Sequence, residues 1–180
     1  FIDTDGSTEH DEHLARQRYF PATHPDKVDF LLVVNWGRTM PFIDNVYREG
    51  VDNVMDAMNT HALKSLAADL SLGDSARFLG FRKDIHDLLD AIDVLVLPSV
   101  RDEGCSNTLL EAMGHGRPAV VTRCGGLPGV VTDGEVGLVV EIGAAEALGS
   151  AVARLLAHPE ERARMGAAAR EKSARDFDER

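Results

Sequence analysis

Cysteine is scarce in this chain, and the scarcity closes several routes. Cys105 and Cys124 are its only two cysteines in 180 residues. Their spacing fits no metal-binding pattern, and two thiols do not make a disulfide scaffold. A reducing, cytoplasmic setting is the expectation. The thiols are expected as small residues at the edge of the core, or facing each other across neighbouring strand ends. Long apolar runs are lacking too. No stretch approaches the ~20 residues that span a bilayer, and no secretory leader is recognisable, so no membrane-spanning segment is expected. Basic residues are outnumbered, 19 Lys and Arg against 30 Asp and Glu, for a formal charge of -11. That balance excludes nucleic acid and anionic membrane surfaces as general partners, while leaving room for a local cationic pocket. Repeats and low-complexity tracts are absent.

What is present is a core. Hydrophobic residues make up 44% of the sequence, enough for one domain of this length. Residues 1–27 are polar and acidic, without sustained periodicity, and read as a linker or surface segment. Their histidines (His10, His13, His24) are expected to belong to a solvated tail, a metal site being the less favoured alternative. From residue 28 to 180 short apolar runs alternate with helical spacing. Strands are expected at 28–34, from 77 to 80, at 94–98, 119–122 and 137–140. Helices are expected at 51–58, 61–70, around Ile85–Ile92, at 144–156 and at 159–175. Such alternation predicts an α/β fold, a Rossmann-like, doubly wound parallel sheet.

The segment PSVRDEGCSNTLLEAMGHGRP, from Pro98 to Pro118, concentrates the chemistry. A buried strand precedes it, a helix begins inside it, and another apolar strand follows. In a parallel sheet this places Glu103, Glu111 and several free amides at the carboxyl edge, where ligands bind. The first amides of a helix lack intrahelical partners and favour an anion such as a diphosphate. Gly104, Cys105 and Ser106 are small enough for a ligand to approach the backbone. Carboxylates repel phosphate but accept hydrogen bonds from neutral hydroxyls. Two of them flanking an anion site therefore point to hydroxyls on both sides of a phosphate, as in a nucleoside diphosphate sugar. Each residue also has a plainer reading. Thr108 and Glu111 form a T-x-x-E capping box, which alone would account for Glu111. Glu103 would then be a solvated loop residue, and Gly104 would serve only the turn.

An ordered set of motifs carries a family resemblance. FLGF (Phe78–Phe81) is followed by AIDVLVLPS (Ala91–Ser99). The pair Glu103 and Glu111 forms E-x7-E, which continues as EAMGHGRPAVV. Then come GGLPGVV (Gly125–Val131), DGEVGLVV (Asp133–Val140) and HPEERARMGAAAREKSARDF (His158–Phe177). Together they resemble the C-terminal domain of family 4 (group 1) retaining glycosyltransferases of GT-B architecture. The resemblance covers Arg77 to Phe177.

That resemblance implies a donor-binding half of a hexosyltransferase. It implies a UDP-sugar or GDP-sugar donor, a sugar or lipid-linked acceptor, and no essential metal or cofactor. Glu103 is expected beside the donor sugar and Glu111 on the ribose hydroxyls. Backbone amides from Gly104 through Cys105, Ser106, Asn107 and Thr108 to Leu109 are expected to hold sugar and diphosphate. Arg38, which follows the first strand, stands where a cation would clamp a diphosphate. By resemblance Gly37 and Arg38 contact it, and Arg38 neutralises charge on the leaving group. Phe81 and Arg82 are expected to line the base pocket, Phe81 alternatively being core.

The chain also departs from the family pattern. Glu49 stands where a lysine is usual. Arg48, one position early, either takes the cationic role or is an ordinary surface arginine. A central strand after Met58 is missing, and Gly129 replaces the glutamate that usually follows GGLP. The N-terminal GT-B domain, which by resemblance supplies the acceptor site, is not represented. The parent protein is expected in the cytoplasm, peripheral to the membrane. The competing reading is a degenerate nucleotide-sugar module that binds without turnover.

Overall fold

The computed structural model describes residues 31–33, 61, 63–79, 84–100 and 104–177, the first of these stretches by its backbone alone. The chain divides into two compact units, one formed by Phe1–Asn35 with Asp84–Arg180 and the other by Trp36–Lys83.

The larger unit is a four-stranded parallel sheet. Its strands are β1 (Leu31–Val33), β2 (Val94–Leu97), β3 (Ala119–Thr122) and β4 (Gly137–Val140), in that spatial order. Register is fixed by the pairs Leu31 with Val94, Leu95 with Ala119 and Ala119 with Gly137. Helix α1 (Ile85–Ala91) leads into β2, and α2 (Asn107–Gly114) joins β2 to β3. The short α3 (Leu127–Val130) follows β3. The chain closes with α4 (Ala145–Ala157) and α5 (Pro159–Asp176).

All four residues of β2 and all four of β3 are buried. Such continuously apolar strands are what a sheet covered on both faces requires. Side chains alternate along a strand, so each of these two strands feeds two cores. Leu95, Leu97, Ala119 and Val121 pack with Leu89, Leu109, Met113 and Leu127 on one face. Val94, Val96 and Val120 pack with Leu138, Leu155 and Met165 on the other. On α2 the buried apolar residues Leu109, Ala112 and Met113 follow the i, i+3, i+4 spacing of an inward helix face. Helix α5 contributes to both cores, through Met165 to one and Ala169 to the other. The doubly wound, Rossmann-like reading is thus realised as helices on both faces.

In the smaller unit, residues 63–69 are helical and a 3₁₀ turn occupies Gly73–Ser75. The strand expected from residue 77 is not formed at 77–79. The backbone is extended at Ala76 (φ -120°, ψ 121°). No neighbouring strand pairs with it among the described residues, and an extended segment becomes a strand only through a ladder partner. Phe78 is instead partly exposed, at 41%, with the Lys64 ammonium 5.7 Å from its ring centre. The segments 1–27, 51–58 and 178–180 lie outside the described residues.

Candidate functional site

The carboxyl ends of β2 and β3 are tied together. Thr122, the last residue of β3, is buried, and its hydroxyl donates to the carbonyl of Ser99, two residues beyond β2. This bond fixes the start of the loop that runs to α2. Ser106 is the N-cap of α2, in extended conformation (φ -75°, ψ 115°). Its carbonyl accepts the first helical bond, from the Leu110 amide at 3.1 Å. Its hydroxyl makes no capping bond. None of the amides of residues 104–109 donates to another described backbone carbonyl. A row of donors therefore sits at the start of an eight-residue helix, the arrangement that suits an anion.

This geometry corrects one reading of Glu111. A T-x-x-E box needs Thr108 at the N-cap, but the cap lies two residues earlier, and Thr108 is already inside the first turn. Thr108 is 8% exposed and Leu109 fully buried, so these two side chains serve the core. Glu111 sits in the second turn, out of reach of a capping role. Its Oε2 atom is buried without a hydrogen-bond partner among the described residues. A buried carboxylate oxygen without a partner costs more than an ordinary unmade hydrogen bond, because the group is charged. It is an acceptor in the second turn of the helix that begins with the row of amides.

One close contact, between Gly126 and Gly104, shapes the approach to that row. Gly104 is exposed, and a methyl group added to it would meet nothing within 4 Å. Gly125 has φ +50° and turns the chain after β3. The following Gly126 packs directly on the loop: a methyl group there would lie 2.7 Å from the Gly104 carbonyl oxygen. Cys105 and Asn107 are exposed beside this contact, and Cys124 is buried behind it.

The structure therefore brings together Gly104, Cys105, Ser106, Asn107, Thr108, Leu109 and Glu111. Glu103, Gly37, Arg38, Arg48, Phe81 and Arg82 lie outside the described residues. Sequence reasoning missed Thr122 and Gly126. The available signals were a hydroxyl at the end of a buried strand and a glycine doublet just after it. Among the described residues, no cluster of three or more His, Cys, Asp or Glu side chains is arranged to hold a metal ion. No helix among them is long and apolar enough to cross a membrane.

A sequence model of the family described as glycosyl transferases group 1 matches residues 50–172. The chain belongs to the group 1 glycosyltransferases. It is 38% identical over 103 residues to the lipopolysaccharide core biosynthesis glycosyltransferase LpsE of Rhizobium meliloti. That match covers 57% of this chain but 30% of LpsE. The chain thus spans under a third of that curated relative. Among solved structures it resembles Anabaena Alr3699/HepE in complex with UDP, with a TM-score of 0.67 and 24% identity. The match covers 86% of this chain and 38% of HepE. It also resembles the crystallised C-terminal domain of the group 1 glycosyltransferase LpcC from Francisella tularensis, with a TM-score of 0.62 and 19% identity. There it covers 70% of this chain and 66% of the other. At these identities the two structures establish the fold: this glycosyltransferase domain is the Rossmann-like C-terminal half of the GT-B architecture.

Proposed function

We propose that this domain binds the nucleoside diphosphate sugar donor of a retaining hexosyltransferase. The observation that carries the reading is the buried Glu111 oxygen, without a hydrogen-bond partner among the described residues, in the second turn of the helix that starts at the open amides. In this reading Glu111 accepts hydrogen bonds from the ribose hydroxyls. The amides from Gly104 to Leu109 hold the diphosphate and the near side of the sugar. Glu103 lies against the sugar hydroxyls. Arg38, with Gly37 and in one alternative Arg48, neutralises the charge that grows on the leaving diphosphate. Phe81 and Arg82 face the base. Donors fixed before reaction stabilise that charge without reorganising, which is the electrostatic form of catalysis. Transfer with retention then proceeds by front-face attack. The sugar–phosphate bond breaks, the departing phosphate takes the acceptor hydroxyl proton, and the new glycosidic bond forms on the same face. No protein nucleophile and no divalent cation is assigned a role.

The similarity to HepE, solved in complex with UDP, supports a UDP-sugar donor, with a GDP-sugar as the alternative. The acceptor, a sugar or lipid-linked sugar, would be supplied with its site by the N-terminal half of a cytoplasmic, membrane-peripheral parent enzyme. Calorimetric titration of the 180-residue chain with UDP, GDP and ADP, with Glu111→Gln as control, tests the proposal. Saturable binding of one nucleotide, weakened about tenfold or more in the variant, is expected for a lost charged hydrogen bond. Absence of binding by all three nucleotides to the folded chain would sink it.

A further inference from the structure

Gly126 is a glycine without a conformational reason to be one. Its backbone lies at φ -81°, ψ -10°, a region open to every residue. Gly125 beside it is different, since φ +50° disfavours a side chain wherever the neighbours are. What excludes a side chain at 126 is one contact. An added methyl would sit 2.7 Å from the Gly104 carbonyl oxygen and 3.2 Å from the Gly104 carbonyl carbon, both backbone atoms.

Which partner would yield can be decided. The turn that carries Gly126 is anchored from behind. Cys124 is 2% exposed and Leu127 fully buried, and both belong to the main core cluster. The Leu127 amide donates to the Cys124 carbonyl at 3.1 Å, and the Cys124 amide to the Thr122 carbonyl at 2.7 Å. Gly104 is exposed, its Cβ position opens on space, and among the described residues its amide donates to no backbone carbonyl. The turn is therefore the stiffer side, and Gly104 is the side with room to shift.

We propose that Gly126 is a positioning residue for the phosphate-binding loop. The turn after β3 acts as a stop against which Gly104 rests, and the stop sets where the amides of residues 104–106 point. The inference rests on the donor-site reading above and adds to it an element outside E-x7-E. Small displacements of positioned donors are costly, up to about a hundredfold for a shift near 1 Å.

The test compares Gly126→Ala with Gly125→Asn and the unchanged chain. Each is titrated with the nucleotide that binds best among UDP, GDP and ADP, with the matching nucleoside, and melted thermally. Asparagine tolerates the left-handed region, so Gly125→Asn is expected to keep both affinities. Gly126→Ala is expected to bind the diphosphate at least about tenfold more weakly and the nucleoside unchanged, with a cooperative melt. Equal loss for both ligands, or no loss for either, would overturn the proposal. So would loss of the cooperative melt, because the methyl would then have been absorbed by the core and not by the loop. If the unchanged chain binds no nucleotide, the donor-site reading itself fails, before any variant is compared.

Discussion

The two ends of helix α2 are built on opposite principles. At its C-terminal end the last carbonyls and several neighbouring side chains are hydrogen-bonded. The Arg117 amide donates to the Ala112 carbonyl and the Gly116 amide to the Met113 carbonyl, with Gly116 at φ +69°. This is a Schellman closure. The Arg170 guanidinium of α5 donates to the Gly114 carbonyl at 3.1 Å. His115 donates from Nδ1 to the Asp90 carboxylate at 2.6 Å, while its Nε2 faces the Nδ1 of His86 at 3.0 Å with the rings stacked. Arg117 reaches the Asp90 carbonyl at 2.8 Å. At the N-terminal end, among the described residues, the Ser106 hydroxyl makes no capping bond, the first amides donate to no backbone carbonyl and the Glu111 Oε2 atom is buried without a hydrogen-bond partner. Among the described residues, the same helix is closed by backbone and side-chain hydrogen bonds at one end and shows open amides at the other. The contrast suits a division of labour, in which one end contributes stability and the other is where the proposed donor site lies.

Substitutions at the two ends should therefore separate stability from affinity. The largest effect is expected from Glu111→Ala, with a loss of about 1.5–3 kcal/mol in nucleotide affinity. Its melting temperature should be equal to or above that of the unchanged chain, because a partnerless buried oxygen has been removed. A marked fall in stability would show that Glu111 is structural after all. Next comes Asp90→Ala at the sealed end, expected to cost about 1–3 kcal/mol of stability in chemical denaturation by stranding its hydrogen-bond donors. Nucleotide affinity of its folded fraction should not change, and an affinity loss matching that of Glu111→Ala would dissolve the contrast. Gly116→Ala forces a side chain into the left-handed region and should cost about 1–2 kcal/mol, again without effect on binding.

A smaller effect is expected for Ser106→Ala. Cap serines are usually worth about 0.5–2 kcal/mol. Here no capping bond exists to be lost, so a stability change near zero is expected in a denaturant melt. A loss of 1 kcal/mol or more would mean that the cap is closed in solution. The smallest change concerns the end of α5, remote in sequence from both ends of α2. Asp176 is held down at about 2 by hydrogen bonds from Arg175 and Lys172. A depressed carboxyl stabilises the fold above its unfolded pKa of 3.8 and loses that contribution as pH falls through about 2. Arg175→Ala should flatten the acid limb of the stability curve in that window and leave nucleotide affinity untouched.

Much of this architecture was legible in the residues. The apolar runs of β2 and β3 and the spacing of Leu109, Ala112 and Met113 specify buried strands and an inward helix face without reference to any neighbour. The expected strand from residue 77 shows the limit, because an apolar run becomes a strand only when something pairs with it. Glu111 shows a second limit. The motif Thr108-x-x-Glu111 is compatible with a cap, but the cap position depends on where the chain leaves β2, and that is set by the Thr122 bond to Ser99. Gly126 shows a third. Its reason for being a glycine is the Gly104 carbonyl, more than twenty positions away, and no local pattern encodes such an approach. Glu103 and Arg38 were singled out from sequence alone and lie outside the described residues.

The register of β1 against β2 carries a kinetic consequence. Residues 34–93 separate these two paired strands, whereas 98–118 separate β2 from β3 and 123–136 separate β3 from β4. Closing a longer loop costs more entropy before any contact rewards it. The sheet should thus nucleate from β2, β3 and β4, and β1 should be the last strand to join. The amides at the start of α2, on the connection between β2 and β3, would then be in place before β1 joins the sheet.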